Sequence, residues 1–253
     1  MIKSSKLSKF KNIKHAFFNR LGGVSKGMYK SLNCGPGSFD KKKYISDNLK
    51  IVIKKIKTTP KNIILLNQIH SNKFYFIDKK NKFKKKRFKA DAIITNQKKI
   101  PIGVLTADCA PILIYDYNKN MVSAIHAGWK GAYKDIVKNV VEFMIKKGCN
   151  PKTMCAVIGP CISIKNYEVK KDFKDKFLKK YKKNKFFFKE INYKTYFSLN
   201  KYICSQLKSL NIKNIEIINK DTFDVKNNFF SARRSINRNK NDYGRNISII
   251  MIN

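Results

Sequence analysis

The chain has 253 residues, 43 % of them hydrophobic, with a formal charge of +40, which is enough apolar material for one sizeable core. Its longest apolar stretch, residues 100–117, carries Asp108 and falls short of the roughly 20 residues of a membrane span, and the basic start has no apolar segment before His15 and Phe17, so a cytoplasmic protein is expected. Six scattered cysteines without a CxxC pair fit reduced thiols better than a disulfide framework, and because 50 of the 56 basic residues are Lys, specific nucleic-acid readout, which favours Arg, is not expected.

In chain order, apolar β-branched runs predict buried strands over residues 63–66, 92–95, 102–105, 111–115, 122–125, 155–158, 215–218 and 247–252. Between them, residues 132–147 read as a helix, with Ile136, Val140, Val141, Met144 and Ile145 on one face and Gly148 to end it. A second helix is predicted over 199–210. Two Lys-rich stretches with interleaved Phe and Tyr, residues 79–89 and 170–189, read as a surface loop and a solvated amphipathic helix. Strands and helices in mixed order imply an α/β (α+β) fold, a single layered domain with mixed sheets flanked by helices.

The chain holds only three histidines, His15, His70 and His126. His70 closes the run Ile63-Ile64-Leu65-Leu66-Asn67-Gln68-Ile69, and His126 closes Met121-Val122-Ser123-Ala124-Ile125 before a Gly-containing turn. Strand ends of this kind are where α/β proteins place reactive groups. Cys109 follows Asp108 in Thr106-Ala107-Asp108-Cys109-Ala110-Pro111, and an acid between apolar strands is costly to bury without a purpose. Two imidazoles and one thiolate form a zinc set of catalytic type, because three protein ligands leave the fourth position open. The separations along the chain match no short metal-finger template, so packed or capping residues stay an alternative at this point.

Seven segments carry a resemblance: His15-Ala16-Phe17-Phe18-Asn19-Arg20-Leu21-Gly22-Gly23-Val24-Ser25, Ser31-Leu32-Asn33, Asn67-Gln68-Ile69-His70, Thr106-Ala107-Asp108-Cys109, His126-Ala127-Gly128-Trp129-Lys130-Gly131, Ile158-Gly159-Pro160-Cys161-Ile162 with Tyr167-Glu168-Val169, and Phe229-Phe230-Ser231 with Arg233-Arg234. In order and in content the chain resembles the laccase-domain, polyphenol-oxidase-like family of purine nucleoside phosphorylases. The resemblance implies one domain over residues 1–253, one zinc ion held by His70, Cys109 and His126, and action on purine nucleosides and phosphate: phosphorolysis of adenosine, inosine and methylthioadenosine, and deamination of adenosine. Asn19 stands where the family usually has Thr, Ala232 where an aromatic is common, Lys130 where it has Arg, and Tyr243-Gly244-Arg245 where it has Thr-Gly-Arg.

Deamination needs a proton shuttle, expected at Asp108, whose other reading is a carboxylate that caps the turn or holds a ligating imidazole. Phosphorolysis needs an anion site, expected at Arg20 and then Arg234, because a guanidinium offers paired donors; the competing reading of these arginines, for Arg234 and still more for Arg238, is structural ion pairs under the C-terminal strand. Ser25 and Asn33 are expected beside the substrate. His15, Trp129 and Cys161 read as packing or pocket-wall residues. Copper is not expected, since three histidines cannot build a blue-copper site and a further imidazole cluster. Two rivals remain: a thiol hydrolase using Cys109 with a His, and a polyanion-binding module driven by the Lys surplus. The chain is expected to be a monomer.

Overall fold

The computed structural model describes residues 1–58, 62–79 and 88–253. Its first strand, β1 (Ile13–Phe17), and helix α1 (Lys42–Lys55) are followed by β2 (Phe74–Ile77), β3 (Ala92–Thr95), β4 (Ile102–Thr106), β5 (Ala110–Asp116) and β6 (Met121–Ala127). Helices α2 (Trp129–Tyr133) and α3 (Ile136–Lys146) lead to β7 (Met154–Ile158), β8 (Glu168–Val169) and α4 (Lys171–Lys180). The hairpin β9 (Phe188–Ile191) and β10 (Lys194–Phe197), α5 (Leu199–Ser209), β11 (Asn214–Ile217), α6 (Ala232–Ile236) and β12 (Asn246–Ile252) complete the chain.

A six-stranded mixed sheet has the order β11-β7-β5-β6-β3-β2, and a three-stranded antiparallel sheet the order β1-β12-β4. Strand side chains alternate between faces, so Ile112 and Ile114 of β5 pack with Val140, Met144 and Ile203 under α3 and α5, while Leu113 and Tyr115 pack against Ile250 and Ile252 of the smaller sheet. The far face of that smaller sheet, Ala16, Ile247 and Ile249, is covered by Val52 of α1. The result is four layers: helices, six-stranded sheet, three-stranded sheet, helix. A strand buried on both faces reads as an unbroken apolar run, which is why β5, β6, β7 and β12 are visible in the sequence.

Three expectations are corrected. Residues 63–66 form no strand; Ile64 makes one isolated bridge to Ile102, and Leu65 and Leu66 turn into different clusters. The helix over 132–147 is two helices, broken at Asp135, whose left-handed φ of 64° no α-helix accommodates. The stretch 170–189 is a ten-residue helix, a 3₁₀ turn over Lys182–Phe187 and the start of β9, with Phe177 fully buried, and not one solvated helix. Of the other Lys-rich stretch, residues 80–87 lie outside the described residues. Among the described residues no helix is long and apolar enough to cross a membrane.

Candidate metal centre

The antiparallel pairing of β5 with β6 sets Ala110 opposite Ala127. This register brings Cys109, the residue before β5, beside Gly128, the residue after β6, with His126 one position inside the strand. His70 arrives from the segment before β2. Its backbone is held in the left-handed region at φ 57°, and Asp108, next to Cys109, at φ 83°. Such conformations are uncommon for non-Gly residues and cluster at functional sites.

The three ligand atoms lie within 4.8 Å of one another. Cys109 Sγ is 3.8 Å from His70 Nε2, and the two imidazoles meet edge to face at 4.8 Å between centroids. Among the described residues this is the one group of three or more His, Cys, Asp and Glu side chains placed to hold a metal ion. His126 is buried, Cys109 half-buried and His70 exposed, so the group forms a wall open on one side. A Cβ built on Gly128 would stand 2.9 Å from both Cys109 Sγ and His70 Cδ2. The glycine therefore leaves free the space these side chains need, and soft thiolate with imidazole is a donor set that zinc favours. The residues fit a zinc ion.

Electrostatics point the same way. Burial alone would push the Cys109 thiol up, but the adjoining His126 charge and hydrogen bonds from both imidazoles pull it down to about 6, which leaves a thiolate at neutral pH. Burial acts against charge on His126 too, yet Cys109 and Asp91 raise it to about 9, so it pairs with the thiolate as an imidazolium, a proton that a bound metal would displace.

Asp91, which sequence reasoning missed, holds the arrangement. Its Oδ1 is 2.8 Å from His126 Nδ1 and accepts from the His70 backbone N–H at 2.9 Å, and its Oδ2 accepts from the Ser71 hydroxyl at 2.6 Å. Burial works to raise this carboxyl, but His126 and Ser71 outweigh it and hold it below the usual carboxylate range. With Nδ1 engaged, Nε2 of His126 is left facing the cluster.

Asp108 does not face the cluster as a free acid. Its oxygens accept from Thr222 Oγ1 at 2.7 Å, Ser231 Oγ at 2.9 Å and the Arg233 N–H at 2.7 Å, and burial keeps its carboxyl raised despite these donors. It ties the chain before α6 to the Cys109 turn, which matches the capping alternative; the imidazole-holding carboxylate is Asp91.

The residues expected beside the substrate are engaged within the fold. Arg234 is buried, and its guanidinium donates to the carbonyls of Thr222, Phe223 and Phe229. Ser25 donates to Asp40 and accepts from Asn48. Asn33 is fully buried; its amide donates to Asp40, and its Oδ1 accepts from the N–H groups of Gly35 and Arg245. Arg20 lies half-buried with its guanidinium over Phe230, 5.9 Å from the ring centroid, outside both cavities that meet at the cluster.

One of those cavities, about 540 Å³, is walled by Asn67, Gln68, Thr106, Tyr243 and Arg245 together with the three cluster residues. The other, about 180 Å³, is walled by Trp129, Tyr167, Arg233, Ile236 and Tyr243 together with His70 and Cys109. The guanidiniums at the cleft are thus those of Arg245, stacked 4.6 Å from the Tyr243 ring centroid, and Arg233, 5.6 Å from that of Tyr167. Asn33 acts behind Arg245, and Gly35 lets the Arg245 stem pass: a Cβ there would lie 2.3 Å from its Cδ. His15 is buried on β1, accepting from the Ser4 N–H at 2.9 Å, and Trp129 forms cavity wall, as expected.

Comparison with known proteins agrees with this architecture. A family model described as multi-copper polyphenol oxidoreductase laccase matches residues 14–253. A Haemophilus influenzae protein named purine nucleoside phosphorylase is 34 % identical over 244 residues, covering 95 % of this chain and 94 % of that protein. A Bacteroides thetaiotaomicron protein of the same name is 31 % identical over 186 residues, covering 71 % of this chain and 69 % of its own. Among solved structures, the hypothetical protein YfiH of Bacillus licheniformis superposes with a TM-score of 0.87 at 26 % identity, over 95 % of this chain and 93 % of that one. A Neisseria meningitidis protein superposes at 0.85 with 30 % identity, over 96 % and 95 %.

Proposed function

This chain belongs to the multi-copper polyphenol oxidoreductase laccase family, and from that premise we propose that it is a zinc-dependent purine nucleoside phosphorylase that also deaminates adenosine. The observation that carries the reading is the convergence of His70, Cys109 and His126 on the wall between two cavities, each of which also presents a guanidinium. The relatives named purine nucleoside phosphorylase support the substrate class. Copper oxidase chemistry does not fit the donors: of three histidines, His15 is buried in β1, which leaves two imidazoles for any metal.

When bound, zinc would supply Lewis acidity, polarising a substrate oxygen or acidifying a water. Phosphorolysis forms a bond from a phosphate oxygen to the ribose C1′ and breaks the bond from C1′ to the purine nitrogen, whose electron pair leaves with the base and takes a proton. Arg245 and Arg233 hold the phosphate in this scheme, because both line the cleft; Nη1 of Arg245 is engaged by Asp242 and the Tyr243 carbonyl and Nη1 of Arg233 by the Glu168 carbonyl, so the other nitrogens of each guanidinium take the anion. Trp129 and Tyr167 supply apolar wall for a purine ring and exclude water from it. Asp91 keeps His126 in the tautomer that ligates, and Asp108 positions Arg233 through its backbone N–H. The thiol-hydrolase rival uses the same Cys109 thiolate, but as nucleophile.

Chromatography of adenosine, inosine and methylthioadenosine reactions tests the proposal. Free base is expected only with phosphate present, and inosine from adenosine without it, both abolished by chelator. Arg245→Lys is expected to raise the KM for phosphate at least tenfold, about 1.4 kcal/mol, and Arg20→Lys to leave it unchanged. Turnover that persists in chelator would overturn the reading in favour of the hydrolase.

A further inference from the structure

The segment from residue 170 to 197 is not used by the cleft chemistry. It carries eleven Lys, three acidic residues and no Arg, and between residues 176 and 189 seven Lys and no acid. Part of this charge is paired within the fold: Lys174 with Glu190 at 2.6 Å, Lys180 with Asp135 at 2.6 Å and Lys194 with Glu168 at 3.3 Å. Lys182, Lys183, Lys185 and Lys189 are exposed, and no carboxylate is placed against them in any ion pair among the described residues.

The aromatics of the segment divide into two sets. Phe173, Phe177, Phe188 and Phe197 pack on one another, Phe173 stacked on Phe177 and the other pairs edge-on or tilted, with Phe177 and Phe197 fully buried. Tyr181, Phe186 and Tyr193 stand in water at 63 %, 74 % and full exposure. Lys180 lies 5.8 Å from the Tyr181 ring centroid and Lys185 5.5 Å from that of Phe186. Tyr193 in particular occupies the two-residue turn Asn192-Tyr193 between β9 and β10 at φ 61°, where glycine is the favoured residue and a bulky side chain is disfavoured. The turn holds an aromatic ring outward at the expense of backbone comfort. Phe188 faces inward, so its strand neighbours Lys189 and Ile191 project to the other side, the same side as Lys194 of the paired strand.

We propose that this surface binds single-stranded nucleic acid without sequence preference, the rings of Tyr181, Phe186 and Tyr193 stacking on unpaired bases and Lys182, Lys183, Lys185 and Lys189 following the phosphates. Exposed rings alternating with cations are the elements of such sites. The absence of Arg removes the fork that reads base edges. A duplex would hide the base faces that the rings require. An anionic membrane is disfavoured because the apolar face of α4, Phe173 and Phe177, is turned into the core, which leaves no amphipathic helix free to insert.

Fluorescence anisotropy with a labelled oligouridine of about 12 nucleotides, a length within the reach of such surfaces, tests this on the full chain. Tyr181→Ala, Phe186→Ala and Tyr193→Ala combined should weaken binding at least tenfold with the salt dependence unchanged. Changing the four lysines to Gln should reduce the slope of log affinity against log salt by about 3. Changing Lys11, Lys42, Lys43 and Lys54 to Gln should have a much smaller effect. Equal losses in the two lysine variants, an unaffected aromatic variant, equal affinity for duplex RNA, or tighter binding to vesicles of anionic lipid would each overturn the proposal. Thermal midpoints and nucleoside turnover, expected to match the native chain, verify that the variants fold.

Discussion

Two residues that bear no metal decide whether the centre exists. Gly128 contributes an absence: a methyl group there would sit 2.9 Å from Cys109 Sγ, well inside van der Waals contact. Gly128→Ala should leave the fold intact, because its φ of −71° suits alanine, yet reduce bound zinc at least tenfold by elemental analysis. Asp91→Asn removes the charge that fixes the His126 imidazole and should weaken zinc affinity roughly 10- to 100-fold, read by competition with a chelator. By contrast Asp108→Asn, at a carboxylate that accepts from Thr222, Ser231 and Arg233, should lower stability by about 1–3 kcal/mol with zinc content retained. At this scale the sequence reveals candidate ligands better than their supports. His70, Cys109 and His126 stand out as rare residue types at strand ends. Asp91, between Ala90 and the strand that starts at Ala92, carries the signal that marked Asp108, an acid beside an apolar strand, and was readable by the same argument. Arg233 and Arg234 are adjacent, and only the placement of α6 leaves Arg233 lining the cleft, with one bond to the Glu168 carbonyl, and buries Arg234 against the carbonyls of Thr222, Phe223 and Phe229.

Elements were legible where burial is two-sided and opaque where charge interrupts it. Strands β3 to β7, β11 and β12 lie within a residue or two of their apolar runs, whereas β1, Ile13-Lys14-His15-Ala16-Phe17, sets Lys14 and His15 among its apolar side chains and escapes notice. The helix break at Asp135 depends on a left-handed backbone stabilised by Lys180 and Gln206 from distant elements, which no local pattern records. His15 on β1 also yields a pH prediction. Burial, aided by Lys3, draws its pKa down from 6.5 to about 4, so the unfolded chain takes up a proton in that window and the folded chain does not. Stability is complete above pH 6.5 and falls by up to about 1.4 kcal/mol for each pH unit lost down to about 4. Denaturant unfolding of His15→Gln should show a flatter limb across that window than the native chain.

The four layers place one centre where the six-stranded sheet ends, with the chain from residues 33–37 and 243–245 brought across it from the far side of the smaller sheet. A metal held at this centre would be linked to folding: an ion that binds only the folded chain at a hundred times its Kd adds about 2.7 kcal/mol, which for a chain of this size should raise the thermal midpoint by several degrees. The linkage should vanish in Cys109→Ala. The most direct test of the account is the zinc content of the native chain and of Cys109→Ala, measured alongside phosphate-dependent cleavage of inosine. One zinc per native chain, none in the variant and loss of cleavage with it is the predicted result; a native chain that cleaves inosine with no metal bound, or a variant that keeps its zinc, would contradict it.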